Sequence, residues 1–161
     1  MEQLAKVISF EELDNIRDSL GTIVCTSGGF DPLHSGHISC FQESKKYGDT
    51  LIVIVNGDEF LTLKKGKPFM NLRDRCNIIS SIKNVDYVIP FEIKHDMTVI
   101  EALKRIKPNY FTKGGDRTNK TNIPEWEICE QIGTKILTNI TDNRYKEKSS
   151  SFYLNNWINN D

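Results

Sequence analysis

The chain has 161 residues, a hydrophobic content of 38% and a formal net charge of −1. These values are typical of a globular protein with a single core, so we expect one domain over residues 1–161. A nearly neutral chain lacks the positive charge that marks nucleic-acid or membrane-surface binding. The sequence shows neither a secretory leader nor a long apolar run. We therefore expect no nucleic-acid and no membrane partner.

Helical and strand patterns alternate along the chain with turn signals between them, which favours a parallel sheet covered by helices. The sequence predicts strands at 22–26, 50–55, 85–89, 109–112 and 134–137. A helix at 10–20 closes an N-terminal extension (1–20) before the first strand. Further helices are predicted between strands, ending near 48, at 72–81 and at 98–106, and a C-terminal helix is predicted in 148–161. The basic, Gly- and Pro-containing segment 64–68 is predicted as an exposed, mobile loop. The expected fold class is α/β, a doubly wound five-stranded parallel sheet with helices on both faces.

The cysteines are scattered along the chain without paired spacing. They are Cys25, Cys40, Cys76 and Cys129. No Cys-x-x-Cys pair typical of a zinc site occurs, and the scattered spacing implies no disulfide framework. We therefore expect reduced thiols in a cytoplasmic protein.

The most distinctive segment is Gly28–His37, GGFDPLHSGH, which lies between a β-branched strand and a helical pattern. The unpaired N–H groups and the dipole at a helix start favour an anion there. His34 and His37 can face the same bound group and donate to phosphate oxygens whose charge grows in a transition state. Two alternatives stay open: a zinc pair, for which only His95 remains as another histidine, and buried structural histidines.

Other strand ends are expected near this corner, because ligands of an open parallel sheet bind beyond the carboxyl ends of its strands. The second strand ends at 56–58 and the fourth at Lys113-Gly114-Gly115-Asp116. In the latter segment the glycines allow a ligand to approach the backbone closely, and Asp116 can accept a hydrogen bond from a ribose or substrate hydroxyl group. By spacing alone, a tight turn whose aspartate caps the next element is as good an interpretation as ligand binding.

Gly28–His37 resembles the G-x-F-D-x-x-H-x-G-H signature of the cytidylyltransferase-like nucleotidyltransferases. Further segments resemble the heptose-phosphate adenylyltransferase branch of that family; they are Val7–Leu13, Lys67–Arg75, Val85–Phe91 and Lys113–Asp116. The chain is similar, less closely, to glycerol-3-phosphate cytidylyltransferase. The resemblance covers nearly the whole chain, and it implies a Rossmann-like fold and a single nucleotidyltransferase domain.

The resemblance also implies a set of site residues. Catalytic roles are expected for His34, His37, Lys45 and Arg75. Nucleotide-binding roles are expected for Gly28, Gly29, Phe30, Asp31, Gly36, Lys113, Gly114, Gly115, Asp116, Ser149, Ser150 and Ser151. Arg117 is expected to meet a substrate phosphate. The sequence offers no carboxylate cluster as a metal cage, so Mg2+ is expected to arrive on the nucleotide, with Asp31 as the one candidate protein ligand.

Each cation has an alternative role. Lys45 matches a lysine that family members place beside the triphosphate, but from the sequence alone Lys45 and Lys46 fit a solvated surface equally well. The guanidinium fork of Arg75 suits phosphate oxygens, whereas arginines on charged helices are more often simply solvated.

The serines before the terminal helix resemble a late family motif in which hydroxyl and amide groups donate to the β- and γ-phosphates. An ordinary helix cap is the alternative. Family members commonly carry glycine and an apolar residue just before the hydroxyls, where this chain has Glu147 and Lys148.

The implied reaction is direct nucleotidyl transfer to a small phosphorylated substrate with release of pyrophosphate, without a covalent intermediate. The leading expectation is ATP with a sugar such as heptose 1-phosphate; the alternative is CTP with glycerol 3-phosphate or a similar polyol phosphate. A catalytically silent nucleotide-binding module and a tRNA synthetase fragment are weaker alternatives. A homodimer is expected, with the opening segment and Trp157 as apolar surface between the subunits. From the sequence alone, Trp126 and Trp157 fit core positions equally well.

Overall fold

We describe a computed structural model of the protein, covering residues 6–115, 119–141 and 149–159. Its strands form one parallel sheet in the order β3-β2-β1-β4-β5. The strands are β1 (Ile23–Gly28), β2 (Thr50–Asn56), β3 (Tyr87–Phe91), β4 (Tyr110–Thr112) and β5 (Lys135–Leu137). The helices are α1 (Phe10–Ile16), α2 (Ser35–Lys45), α3 (Asp58–Lys65), α4 (Leu72–Ser80), α5 (Ile100–Ile106), α6 (Trp126–Ile132) and α7 (Ser150–Asn159). The expected Rossmann-like α/β class is confirmed.

Strand β2 is buried along its whole length, as the continuous apolar run predicts for a parallel strand covered on both faces. Its alternate side chains enter two cores. Ile52 and Ile54 pack with residues of α1, α5 and α6 on one face, whereas Val53 and Val55 pack with residues of α2 and α4 on the other. This alternation places helices on both faces of the sheet.

Two helices were not predicted from the sequence, α3 and α6. The predicted mobile loop at 64–68 is wrong in its first half, because Lys64 and Lys65 form the last turn of α3 and the turn begins at Gly66, whose φ is 96°. Lysines in a last turn followed by a glycine are favourable at a helix end. The first helix is also shorter than predicted: it ends at Ile16 and continues as a 3-10 turn.

The winding of the sheet reverses between β1 and β4. Strand β1 pairs with β2 on one side and with β4 on the other, while the chain reaches β4 only after β3 at the sheet edge. The carboxyl ends of β1 and β4 therefore frame the crevice in which ligands of such sheets bind. Within the described ranges, we find no helix with the length and apolarity needed to cross a bilayer.

Candidate functional site

The turn after β1 is shaped by Phe30, which has a φ of 54°. This left-handed conformation is costly for an aromatic residue and is kept only where packing enforces it. The Phe30 ring lies edge-on to His37, with centroids 4.9 Å apart, and packs on Phe41 at 5.4 Å. A Cβ at Gly28 would lie 3.0 Å from the same ring, so a larger residue there would press on the Phe30 ring. The turn thereby fixes the start of α2.

The two histidines of the corner are held in one tautomer. His34 caps α2, and its Nδ1 accepts a hydrogen bond from the Gly36 amide over 3.1 Å. The Nδ1 of His37 accepts from the His34 amide over 3.2 Å, and the two rings stack with centroids 3.8 Å apart. Because each Nδ1 is an acceptor, each neutral ring carries its proton on Nε2. The corner therefore presents Nε2–H donors.

Both histidines are held in the neutral form. Burial lowers the pKa of His34. Burial lowers the pKa of His37 to about 3, and the electrostatic effects of the neighbouring His34 and Lys64 act in the same direction. The Nε2 of His34 is buried and has no hydrogen-bond partner in the described part of the chain. A buried donor without an acceptor is costly unless a ligand supplies the acceptor.

A cavity of about 510 Å³ lies over the carboxyl ends of β1 and β4. Sites for small molecules and cofactors are of this size. Thirteen of the residues expected in the site line it; they are Gly28, Gly29, Phe30, Asp31, His34, Gly36, His37, Lys113, Gly114, Gly115, Ser149, Ser150 and Ser151. Lys45 and Arg75 are absent from its lining. Asp116 and Arg117 lie outside the described residues, as do Glu147 and Lys148.

Lys45, which was expected beside the triphosphate, lies at the amino-terminal ends of the strands and does not line the cavity. Helix α2 runs back along the sheet, and the eight residue steps from His37 to Lys45 span ~12 Å. The Nζ of Lys45 is 2.6 Å from Asp86, just before β3, and also donates to the Asp49 carbonyl, just before β2. Its charge is thus paired at the amino ends of the strands.

Arg75, whose fork was expected to meet phosphate, is fully buried, and its guanidinium is bonded within the protein and does not line the cavity. Its Nε donates to the Met70 carbonyl over 2.9 Å, and its Nη1 donates to the carbonyls of Gly29 (2.9 Å) and Asn56 (2.5 Å). Its Nη2 lies 2.7 Å from an Asp58 carboxylate oxygen. Arg75 is therefore a positioning residue that ties the ends of β1 and β2 to the turn before α4.

Asp31 does not fit the role of a metal ligand. Its Oδ2 and Oδ1 accept hydrogen bonds from the amides of Phe69 (2.6 Å) and Met70 (2.7 Å), and Lys65 Nζ lies 2.9 Å from Oδ2. The carboxylate is 1% exposed, so its lone pairs are engaged in holding the turn after α3. In the described ranges, no group of three or more His, Cys, Asp or Glu side chains is arranged to hold a metal ion.

Lys64 and Lys65 line the cavity and were missed by the sequence analysis, which placed them in a loop. They end α3, the helix that follows β2 at the carboxyl edge of the sheet. Lys65 pairs with Asp31, and Lys64 Nζ lies 5.6 Å from the centre of the Phe60 ring. The sequence could have indicated them, because a pair of lysines at the end of the helix that follows a buried strand lies near the ligand-binding end of the sheet. Their position beside the corner gives the cavity a positive wall.

The Lys113-Gly114-Gly115 segment lines the cavity at the end of β4, but its parts serve different purposes. A Cβ on Gly114 would lie 2.0 Å from Thr141 Oγ1, so this glycine is needed for packing against the loop after β5. Lys113 Nζ lies 3.8 Å from Glu125 Oε1 and 4.8 Å from the centre of the Phe111 ring. No sequence pattern distinguishes Glu125 from an ordinary surface glutamate.

The serines at the start of α7 cap that helix and join it to the corner. Ser149 Oγ accepts a hydrogen bond from the Phe152 amide over 3.1 Å, which is an ordinary helix cap. Ser150 Oγ donates to the Pro32 carbonyl over 2.7 Å, which joins α7 to the corner. The ring of Tyr153 then lies 5.2 Å from the His34 ring. The start of α7 is thereby placed against the cavity.

A family model described as cytidylyltransferase-like matches residues 25–153, from β1 into α7. The chain belongs to the cytidylyltransferase-like family of nucleotidyltransferases. It is 40% identical over 130 residues to the bifunctional protein HldE of Aliarcobacter butzleri, an alignment that covers 77% of this chain and 26% of that protein. It is 36% identical over 127 residues to HldE of Desulfatibacillum aliphaticivorans, covering 78% of this chain and 25% of that protein. The chain thus spans about a quarter of the length of these curated relatives.

Two solved structures share the nucleotidyltransferase fold. The lipopolysaccharide core biosynthesis protein from Thermoplasma volcanium superposes with a TM-score of 0.64 at 32% identity, over 73% of this chain and 95% of that one. Pantoate-beta-alanine ligase from Francisella tularensis superposes with a TM-score of 0.57 over 82% of this chain and 65% of that one. At 20% identity, the second likeness concerns the fold alone.

Proposed function

We propose that the protein transfers a nucleoside monophosphate from a nucleoside triphosphate to the phosphate of a small phosphorylated sugar and releases pyrophosphate. The observation that carries this proposal is the pair of neutral histidines, each with its proton on Nε2, at the cavity end of β1. An oxygen of the acceptor phosphate attacks the α-phosphorus, and the bond from that phosphorus to the pyrophosphate oxygen breaks. The attacking phosphate is already an anion, so the histidines need only donate hydrogen bonds.

The neutral histidines suit this role because the negative charge on the reacting phosphoryl group shifts as the bonds change. Fixed donors aimed at that charge stabilise the transition state without reorganising. The positive end of α2 acts in the same direction. We assign the leaving β- and γ-phosphates to Lys64, to the hydroxyl groups of Ser149 and Ser151 and to the amide groups at Ser149–Ser151, all of which line the same cavity.

Magnesium enters this proposal as part of the substrate. The Asp31 carboxylate is engaged by backbone amides and Lys65. Magnesium bound to a nucleotide commonly keeps several waters and few protein ligands. We therefore propose that the nucleotide binds as its magnesium complex.

For the substrates, we propose ATP and a sugar 1-phosphate similar to heptose 1-phosphate. Support comes from the segments that resemble the heptose-phosphate adenylyltransferase branch and from the likeness to HldE and to a lipopolysaccharide core biosynthesis protein. The alternative pair is CTP with glycerol 3-phosphate or a related polyol phosphate, which the description of the matching family model favours.

A pyrophosphate-release assay tests the reaction and separates the two pairs. The protein is supplied with Mg2+ and each of ATP and CTP, in combination with heptose 1-phosphate or glycerol 3-phosphate. We expect release that requires both substrates and is fastest with ATP and the heptose phosphate. Fastest release with CTP and glycerol 3-phosphate would select the alternative. Nucleotide binding without release from any pair would contradict catalysis and support a silent binding module.

We also propose that the protein acts in the cytoplasm as a homodimer. Helix α7 exposes Trp157 (76%), Ile158 (61%) and Phe152 (40%), which is apolar surface available to a second subunit. Light scattering on the purified protein tests the dimer, and a monomer at micromolar concentration would contradict it.

A further inference from the structure

Two buried side-chain atoms in the described part of the chain have no hydrogen-bond partner, His34 Nε2 and Glu125 Oε1. Both residues line the cavity. Buried polar atoms in folded proteins are nearly always paired, and an unpaired one is costly. The first atom is a donor for which the proposed reaction supplies an acceptor. The second atom is an acceptor to which the proposed reaction assigns no donor.

The carboxylate of Glu125 is fixed in place. The residue precedes α6 and is 3% exposed. Its Oε2 accepts a hydrogen bond from the Val99 amide over 3.2 Å. Its Oε1 lies 3.8 Å from Lys113 Nζ, which is within ion-pair range but beyond hydrogen-bond distance. One oxygen thus anchors the side chain and the other keeps its capacity to accept a hydrogen bond.

The position of Glu125 restricts which part of a ligand it can meet. Lys113 follows β4, so Glu125 belongs to the β4 end of the cavity, whereas the histidine corner belongs to β1 and α2. A carboxylate repels phosphate oxygens, and the lysines of α3 and the start of α2 favour them. The charged end of a nucleotide therefore lies at the corner. Its uncharged end extends across the winding reversal toward β4.

We propose that Glu125 Oε1 accepts a hydrogen bond from an uncharged donor of the bound nucleoside. This proposal rests on the proposed function and names a specificity residue for its nucleotide. Two groups have the required chemistry: the exocyclic amino group of the base and a ribose hydroxyl. ATP and CTP both carry an amino group where ITP and UTP carry a carbonyl oxygen. An acceptor facing that position favours the first pair and disfavours the second.

Glu125→Gln tests the contact because it reverses the polarity of the free atom. With the glutamine oxygen on the Val99 amide, the NH2 group takes the place of Oε1. Glu127→Gln, at an exposed position on the same helix, is the matched control. If Glu125→Gln does not fold, as judged by thermal unfolding, Glu125→Asp replaces it, because the shorter side chain withdraws the oxygen.

The readout is equilibrium binding by calorimetry without the acceptor, so turnover is not required. The nucleotides are ATP and CTP, their analogues without the amino group (purine riboside and 2-pyrimidinone riboside triphosphates), and their 2′-deoxy and 3′-deoxy forms. In the wild-type and Glu127→Gln proteins, removal of the contacted group is expected to raise Kd roughly ten- to hundredfold. In Glu125→Gln the same removal is expected to change Kd by less than about threefold, because the coupling between group and side chain is lost.

Each outcome decides the proposal. Coupling to the amino group or to one hydroxyl supports it and identifies the donor. Equal losses of affinity in the wild-type and Glu125→Gln proteins for every analogue overturn the proposal. A wild-type protein that binds none of the nucleotides also overturns it. An effect of Glu125→Gln confined to the KM of the phosphorylated sugar also overturns it. Coupling without pyrophosphate release under any substrate pair would support the Glu125 contact while contradicting the proposed function.

Discussion

The His37 ring holds the backbone of His34: its Nδ1 accepts a hydrogen bond from the His34 amide over 3.2 Å, and the His34 ring stacks on it at 3.8 Å. Each imidazole thus uses its Nδ1 to accept a backbone hydrogen bond, which places the ring proton on Nε2. One short segment thereby fixes the helix start, the tautomers and the direction of the donors.

The buried neutral state of His37 predicts a pH dependence of folding. Its pKa is about 3 in the folded protein and 6.5 for an unperturbed histidine. Below pH 6.5 the unfolded chain binds a proton that folded His37 does not, so stability is full above pH 6.5 and falls as the pH drops toward 3. At pH 4 the protonation of His37 in the unfolded chain lowers the free energy of unfolding by about 3 kcal/mol.

Urea unfolding of the wild-type and His37→Gln proteins between pH 7 and 4 measures this term. The variant removes the titrating group, so its stability is expected to fall less steeply. Parallel profiles for the two proteins would show that His37 takes up its proton equally in both states.

Arg75→Met is expected to destabilise the fold, because it removes every donor from a fully buried site and leaves three carbonyls unpaired. The expected loss is about 3–5 kcal/mol in the free energy of unfolding. Arg73→Met, an exposed position in the same helix, is the matched control and is expected to change stability by less than about 0.5 kcal/mol. Unfolding midpoints in urea compare the two. A normally stable Arg75→Met protein that has lost only triphosphate affinity would restore the phosphate-binding interpretation.

The lysines give a paired test of where the triphosphate lies. Lys64→Ala removes a charge from the cavity wall and is expected to raise the KM for the nucleotide roughly tenfold or more. Lys45→Ala removes a charge that pairs with Asp86 at the opposite edge of the sheet, so the same KM is expected to change by less than about twofold. Pyrophosphate-release kinetics measure both. The reverse order of effects would mean that the bound phosphates do not lie between the corner and α3.

The sequence predicted the parts of the molecule that depend on local pattern. Strand β2 is one unbroken apolar run, and Gly28–His37 combines turn-forming residues with helix-start residues, so the strand, the corner and the histidines were all predictable. The short helix α6 was missed because its seven residues carry little periodicity of their own.

The side chains whose positions differ from expectation have partners that are remote in the sequence. Arg75 binds carbonyls 46 and 19 residues away, and no local pattern distinguishes such a residue from a solvated arginine. Lys45 is on the helix of the corner, but the length of that helix places it at the amino-terminal ends of the strands, away from the cavity. Glu125 precedes α6 and is held at the cavity by the Val99 amide before α5. The packing of α6 beside α5 is a tertiary contact that no local sequence pattern predicts.

The turnover number of His34→Ala tests the central claim most directly. It is measured by pyrophosphate release at saturating substrates and compared with wild type and with His95→Asn, a control at an exposed position whose φ of 67° suits asparagine. Loss of one fixed donor to the reacting phosphoryl group is expected to lower kcat roughly 10²–10³-fold, with little change for the control. A folded His34→Ala protein with a kcat near that of wild type would contradict the account.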